Sequence, residues 1–176
     1  MSLVVDVLSG AVRGGTSIMY AGLGETVSER AGVINLGTEG CMLMGALTGF
    51  AVAYQTGSPW FGVVAAAIAG GLLAAIHSIL VVNRKANQFA SGLTILFLAL
   101  GLTSLYGGEY VGKQINALDP IDLPVLGSIP FIGPILFQQD ALTYLSYFTA
   151  PLLWFILFRT RAGLLVRTAG EPHKAN

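Results

Sequence analysis

The stretch "ERAGVINLGTEGCMLMGALTGF", residues 29–50, opens on two charges, passes three glycines and turns apolar from Cys41. An interior glycine costs a helix about 1 kcal/mol relative to alanine. Gly32, Gly37 and Gly40 therefore argue against one continuous helix from 25 to 45. The spacing predicts a break followed by an apolar helix, with Asn35, Thr38 and Glu39 standing at its mouth. A polar break against so greasy a helix is unusual, and what surrounds it decides how it reads.

The surroundings are lipid. Of 176 residues, 54% are hydrophobic and only 10% charged, and the mean hydropathy is +0.72. Soluble domains carry about 25% charged residues, so this chain has too few charges to cover a water-facing surface. A helix needs about 20 apolar residues to cross the hydrocarbon core. Segments 38–56, 60–82, 87–107 and 141–158 meet that test. Segment 5–24 is a weaker fifth, because Arg13 lies inside it and its centre is rich in glycine. The expected fold is all-α, a polytopic transmembrane helix bundle of about five spans forming a single domain over residues 1–176. Small residues four apart (Gly10 and Gly14, Gly45 and Gly49, and the run Ala66, Gly70, Ala74, Ser78) suit close backbone approach between helices.

Charge asymmetry sets the expected topology. Arg84 and Lys85 in "NRKANQ" (83–88), with Arg159, Arg161, Arg167 and Lys174 in the tail, make six of the nine basic residues. Loop 108–140 carries Glu109, Asp119, Asp122 and Asp140 against Lys113 alone. The positive-inside rule puts both basic segments in the cytoplasm and the long loop outside, with the N-terminus also outside. Pro120, Pro124, Pro130 and Pro134 oppose a regular helix in that loop. Its apolar second half (Ile129, Phe131, Ile132, Ile135, Leu136, Phe137) suits a short re-entrant or surface-lying segment. The start "MSLVVDVLSG" has neither a basic region nor a small-residue cleavage site, and does not read as a removable signal peptide.

Several chemistries find no support. A formal net charge of +0 gives no nucleic-acid footprint. The lone Cys41 precludes an internal disulfide and a thiolate metal cluster. No phosphate-binding loop of the form G-x-x-x-x-G-K-[ST] occurs, so ATP hydrolysis is not expected here. No cofactor or metal is implied, and no serine stands in a nucleophile elbow. His77, beside Ser78 within a span, reads as a hydrogen-bonding residue of the bundle. Glu25, Glu29 and Arg30 lack the companions that an intramembrane enzyme needs.

Within lipid, non-helical backbone survives only inside protein or beside a water-filled cavity. Transporters use such broken helices to hold polar solutes near the midplane. The break at 32–40 then has two readings: Asn35, Thr38 and Glu39 line a path, or the segment is a turn in which Thr38 caps the next helix.

A resemblance bears on that choice. "SERAGVINLGTEGCMLMGA" (28–46), "NQFASGLTILFLALGLTSL" (87–105) and "RTRAGLLVRTAGEPHKAN" (159–176) resemble, in order, three blocks of the permease subunits of bacterial ABC importers for nucleosides and simple sugars, the ribose-type inner-membrane translocators. Thr168, Ala169 and the order around His173 depart from the family pattern. The resemblance implies a multi-pass protein of the bacterial plasma membrane, continuing beyond Asn176 by several helices. It implies a second permease subunit, two cytoplasmic ATP-binding subunits, an external substrate-binding lipoprotein and a small-molecule substrate. It assigns 159–176 to ATPase coupling, through Gly163, Leu164, Arg167, Gly170 and Glu171; for the break at 32–40, the expectation is that Asn35, Thr38 and Glu39 line the path. The glycines at 163 and 170 would bracket a short helix. A self-sufficient channel or secondary transporter is the alternative, and the basic tail counts against it.

Overall fold

A computed structural model describes residues 3–122 and 131–171. The described residues are all-α apart from one pair of two-residue strands. Helix α1 spans Leu3–Arg30, α2 Thr38–Thr56, α3 Pro59–Ser78 and α4 Gln88–Gly107. A single π-helical turn, Ile79–Asn83, prolongs α3. After α4 come β1 (Ile121–Asp122), the short α5 (Ile132–Leu136), β2 (Gln138–Gln139), α6 (Ala141–Arg159) and α7 (Arg161–Gly170). Strands β1 and β2 pair antiparallel, with Ile121 opposite Gln139.

Local chemistry sets the ends. Ser58 in extended backbone with Pro59 behind it starts α3, where proline's missing N–H costs nothing. Asn87 and Asp140 cap α4 and α6, accepting from the backbone N–H of Ala90 at 3.1 Å and Thr143 at 2.9 Å. Gly57 closes α2 in the left-handed conformation, its N–H on the Ala53 carbonyl.

Among the described residues three helices are long and apolar enough to cross a membrane: Pro59–Asn83, Gln88–Tyr110 and Ala141–Arg159. These are three of the five expected spans. α1 and α2 have the length, but α1 carries Asp6, Arg13, Glu25, Glu29 and Arg30, and α2 is diluted by glycine, threonine and a Tyr54-Gln55-Thr56 end. The protein is a multi-pass membrane protein. Of loop 108–140, the described part holds the strand pair and α5. The apolar Ile129 and the prolines 124 and 130 lie outside the described residues, as do His173 and Lys174.

Contacts group the chain into two compact units. One comprises α1 to Val27 with Leu118–Ala169, the other Ser28–Ala117 with Gly170. In the second unit α2 packs on both α3 and α4. Gly45 and Gly49 face Ala66 and Gly62 of α3, and Gly70 faces the Cys41 carbonyl. On its other side Gly40 meets α4, where an added Cβ would stand 2.9 Å from Leu96 Cα and 3.0 Å from the Ile95 carbonyl oxygen. A small apolar core of Leu73, Ile95 and Ala99, flanked by Cys41 and Met44, sits where the three helices meet. The small-residue stripe holds at Gly45, Gly49, Ala66 and Gly70. It ends there, for Ser78 is exposed and, among the described residues, no atom comes within 4 Å of a Cβ placed on Gly10 or Gly14.

Candidate functional site

The break between α1 and α2 runs from Ala31 to Gly37. It begins as a Schellman turn. The N–H of Val33 reaches back to the Ser28 carbonyl (2.9 Å) and that of Gly32 to the Glu29 carbonyl (3.0 Å). The turn needs a left-handed residue, and Gly32 provides it at φ +83°.

From there the chain is extended and held from the side. The Gln88 side chain, at the start of α4, accepts from the Ile34 N–H at 2.8 Å and donates to the Gly32 carbonyl at 3.2 Å. One amide thus engages one backbone N–H and one backbone carbonyl of the extended segment. The Asn35 side-chain oxygen then accepts from the Gly37 N–H (3.0 Å), forming an Asx turn. The Asn35 carbonyl accepts from the Thr38 N–H (3.3 Å) and from the Thr38 hydroxyl (2.8 Å). Thr38 is accordingly not the cap of α2. It is the first helical residue, its hydroxyl is turned back to Asn35, and Gly37 holds the cap position without a side chain.

Glycines let α4 lie against this turn. A Cβ on Gly92 would stand 3.0 Å from the Gly37 N and from Leu36 Cβ, and one on Gly37 would stand 3.0 Å from the Gly92 carbonyl oxygen. The neighbouring Ser91 is buried and bonds His77 Nδ1 at 3.0 Å, a polar clasp between α3 and α4. His77 is thus hydrogen-bonded within the bundle, while its Nε2 has no partner among the described residues.

The three expected pathway residues therefore differ in situation. Asn35 and Thr38 are half-buried and bonded to each other, whereas Glu39 is exposed on the first turn of α2. Sequence reasoning missed Gln88 and Gly92. Their signal was present: a glutamine at the first turn of a helix, and a glycine inside an apolar helix that lacks any turn.

The other set of site residues lies at the chain's basic end. Thr160 separates α6 from α7 and starts the latter, its hydroxyl oxygen accepting from the Gly163 N–H at 3.2 Å. Gly163 sits so tightly on the end of α6 that any Cβ would run into the Ile156 and Leu157 carbonyls. α7 includes both glycines instead of lying between them. The Arg167 guanidinium stacks on the Phe158 ring at 5.3 Å, while Leu164 and Leu165 remain exposed at 52% and 71%. Gly170 belongs to the second unit, where it rests on the Schellman turn: its Cβ would strike the Arg30 carbonyl and the Gly32 N. Glu171 follows, exposed.

A multi-pass helical membrane protein with a pinned polar break beside a glycine-packed helix pair is the class this architecture defines. Over residues 7–175 the sequence matches the family described as the branched-chain amino acid transport system / permease component, and the chain belongs to that family. It is 39% identical, over 97% of its length, to a protein of Haloferax volcanii provisionally named as a glucose ABC transporter permease protein, of which it covers 53%. It is 34% identical over 91% of its length to a nucleoside ABC transporter permease protein of Lactococcus lactis, covering 54%. With a guanosine ABC transporter permease protein of Bacillus subtilis it shares 36% over 88%, covering 52%. The chain thus spans about half the length of these curated relatives. No solved structure matches it.

Proposed function

We propose that the chain forms part of the membrane-spanning subunit of an ABC importer that admits nucleosides or simple sugars. The relatives' names support the solute class. The observation that carries the reading in the structure is the break at 31–37, where an irregular polar segment is pinned by Gln88, Asn35 and close glycine packing. Such a segment offers a path-lining surface while Gln88 holds the Ile34 N–H and the Gly32 carbonyl.

In this reading Asn35, Thr38 and Glu39 border the path. Gly163, Leu164, Arg167, Gly170 and Glu171 belong to the segment that receives the ATPase. The permease pairs with a second permease subunit, two cytoplasmic ATP-binding subunits hydrolyse ATP, and an external lipoprotein delivers the solute. It lies in the bacterial plasma membrane with its N-terminus outside and its basic end in the cytoplasm, as the distribution of lysine and arginine supports.

The test is reconstitution of the full-length permease with its ATPase and binding protein in liposomes. Uptake of guanosine or D-glucose that requires ATP and all components is the expected result. Uptake by the permease alone would favour a channel or secondary transporter, and failure to co-purify with any ATPase would defeat the proposal.

A further inference from the structure

The first unit contains an open pocket of about 480 Å³ lined by Val5, Asp6, Ser9, Arg13, Pro134 and Gln138 together with Gly10 and Pro120, with Asp6 and Arg13 exposed. That volume lies in the range of small-molecule sites, about 300–1,000 Å³. One wall is a single face of α1, since positions 6, 9, 10 and 13 follow helical spacing. Gly10, in the middle of that wall, contributes no side chain, and among the described residues no atom lies within 4 Å of where a Cβ would stand.

Arg13 is fixed before any ligand arrives. Its Nε donates to the Gln139 side-chain oxygen at 2.9 Å, and its Nη2 reaches the Gln138 carbonyl at 3.5 Å. Gln139 is fully buried, and its amide nitrogen donates to the Ser9 hydroxyl (3.0 Å) and the Ile135 carbonyl (2.6 Å). A glutamine with every amide group engaged in the α1–α6 region is a support for the guanidinium. Asp6, two turns earlier, makes no hydrogen bond or ion pair among the described residues.

We infer that this pocket is a binding site for a neutral polyhydroxylated solute, with Asp6 accepting from one hydroxyl and Arg13 donating to another. The charge pattern selects the class. An anion would meet Asp6 and a cation would meet Arg13, whereas hydroxyls both donate and accept. A zwitterionic amino acid would place a carboxylate on Arg13, where Gln139 and Gln138 already engage the Nε edge that grips side-on and leave only an end-on approach to the two Nη groups. The site lies apart from the 35–39 break. It deepens the proposed function and rests on that reading only for the claim that the bound solute is the one transported.

Two readouts separate these claims. The first is the melting temperature of the detergent-solubilised full-length permease, without ATPase, in the presence of D-glucose, guanosine or L-leucine. Protection by D-glucose or guanosine, lost in Asp6→Asn and Asp6→Ala, is expected. Protection by L-leucine alone, by none of the three, or undiminished in both variants overturns the site. The second is uptake by the reconstituted importer. A lost hydrogen bond to a charged group amounts to about ten- to a hundredfold in an equilibrium, so Asp6→Ala should raise KM by that factor, with kcat and assembly unchanged. An analogue lacking the bonded hydroxyl should show that same rise with the wild type and little more with the variant. An unchanged KM overturns the inference. Ligand protection without any ATP-driven uptake would leave the site standing and defeat the importer reading instead.

Discussion

Replacing Gly40 by alanine tests the packing that holds the break in place. The new Cβ would stand 2.9 Å from Leu96 Cα, 3.0 Å from the Ile95 carbonyl oxygen and 3.2 Å from Ala99 Cβ. Ordinary van der Waals contact begins at 3.4 Å, so α2 and α4 must part by 3.4 minus 2.9, or 0.5 Å. Two of the three obstacles are backbone, which no rotamer change can move aside. Overpacking of this kind costs about 1–3 kcal/mol. Alanine's better helix propensity returns at most about 1 kcal/mol, so the net effect is destabilising.

The matched control is Gly71→Ala on α3, where an added Cβ meets nothing within 4 Å. The same propensity gain applies there without the clash, and stability should hold or rise by up to about 1 kcal/mol. Thermal unfolding of the two full-length variants in detergent measures the difference directly. Uptake per assembled complex should fall for Gly40→Ala, because the displaced helix carries Glu39 with it, and stay normal for Gly71→Ala. Equal melting temperatures for the two would refute the helix crossing described above.

Gln88→Ala removes both bonds to the 32–34 segment and should lower stability by about 1–3 kcal/mol at about 0.5–1.5 kcal/mol per bond, measured by thermal unfolding. Gln88→Glu keeps the acceptor for Ile34 and should lose less. Charge reversal at Arg167, or a bulky residue at Gly170, should weaken ATPase association in pull-down and solute-stimulated hydrolysis, while solute binding to the external protein is untouched. In a Cys41→Ser background, cysteine at Asn116 should react with an impermeant thiol reagent added outside cells and cysteine at Lys85 should not; the opposite pattern inverts the topology. Glu39→Gln should cut uptake per assembled complex about ten- to a hundredfold, the worth of a hydrogen bond to a charged group, without changing the melting temperature by more than the helix-dipole contribution of about 0.3–1 kcal/mol.

Much of the fold was legible because lipid leaves few options. Long uncharged runs must be helices, and of the three glycines that argued for a break, Gly32 and Gly37 stand in it at 31–37, whereas Gly40 lies inside α2, where its missing side chain admits α4. The glycine contacts at 45, 49 and 70 were visible as spacing, but the same spacing at Gly10 and Gly14 meets no neighbour among the described residues, so the pattern permits close approach without fixing where it occurs. What the sequence hid was long-range. That Gln88 would clamp a segment 54 residues away, or that Gln139 would hold Arg13 across 126 residues, depends on tertiary placement that no local pattern encodes. Thr38 looked like a helix cap because threonine favours that position. Asn35 displaced it by turning its own side chain onto Gly37, and a glycine took the cap position instead.

Asn35 and Glu39 stand four residues apart and looked alike as path residues in sequence, but their contacts give them different parts. The Asn35 side chain and carbonyl both hold the turn, so Asn35→Leu takes away the turn before it takes away any solute contact. Reduced uptake in that variant would coincide with reduced stability and would say little about the path. Glu39 is exposed and has no hydrogen bond or ion pair among the described residues. Its carboxylate favours the helix N-terminus, but no fold contact depends on it. The residue that shapes the break and the residue free to meet a solute are therefore distinct, and only a loss of uptake at Glu39, with stability intact, isolates the path from the scaffold that positions it.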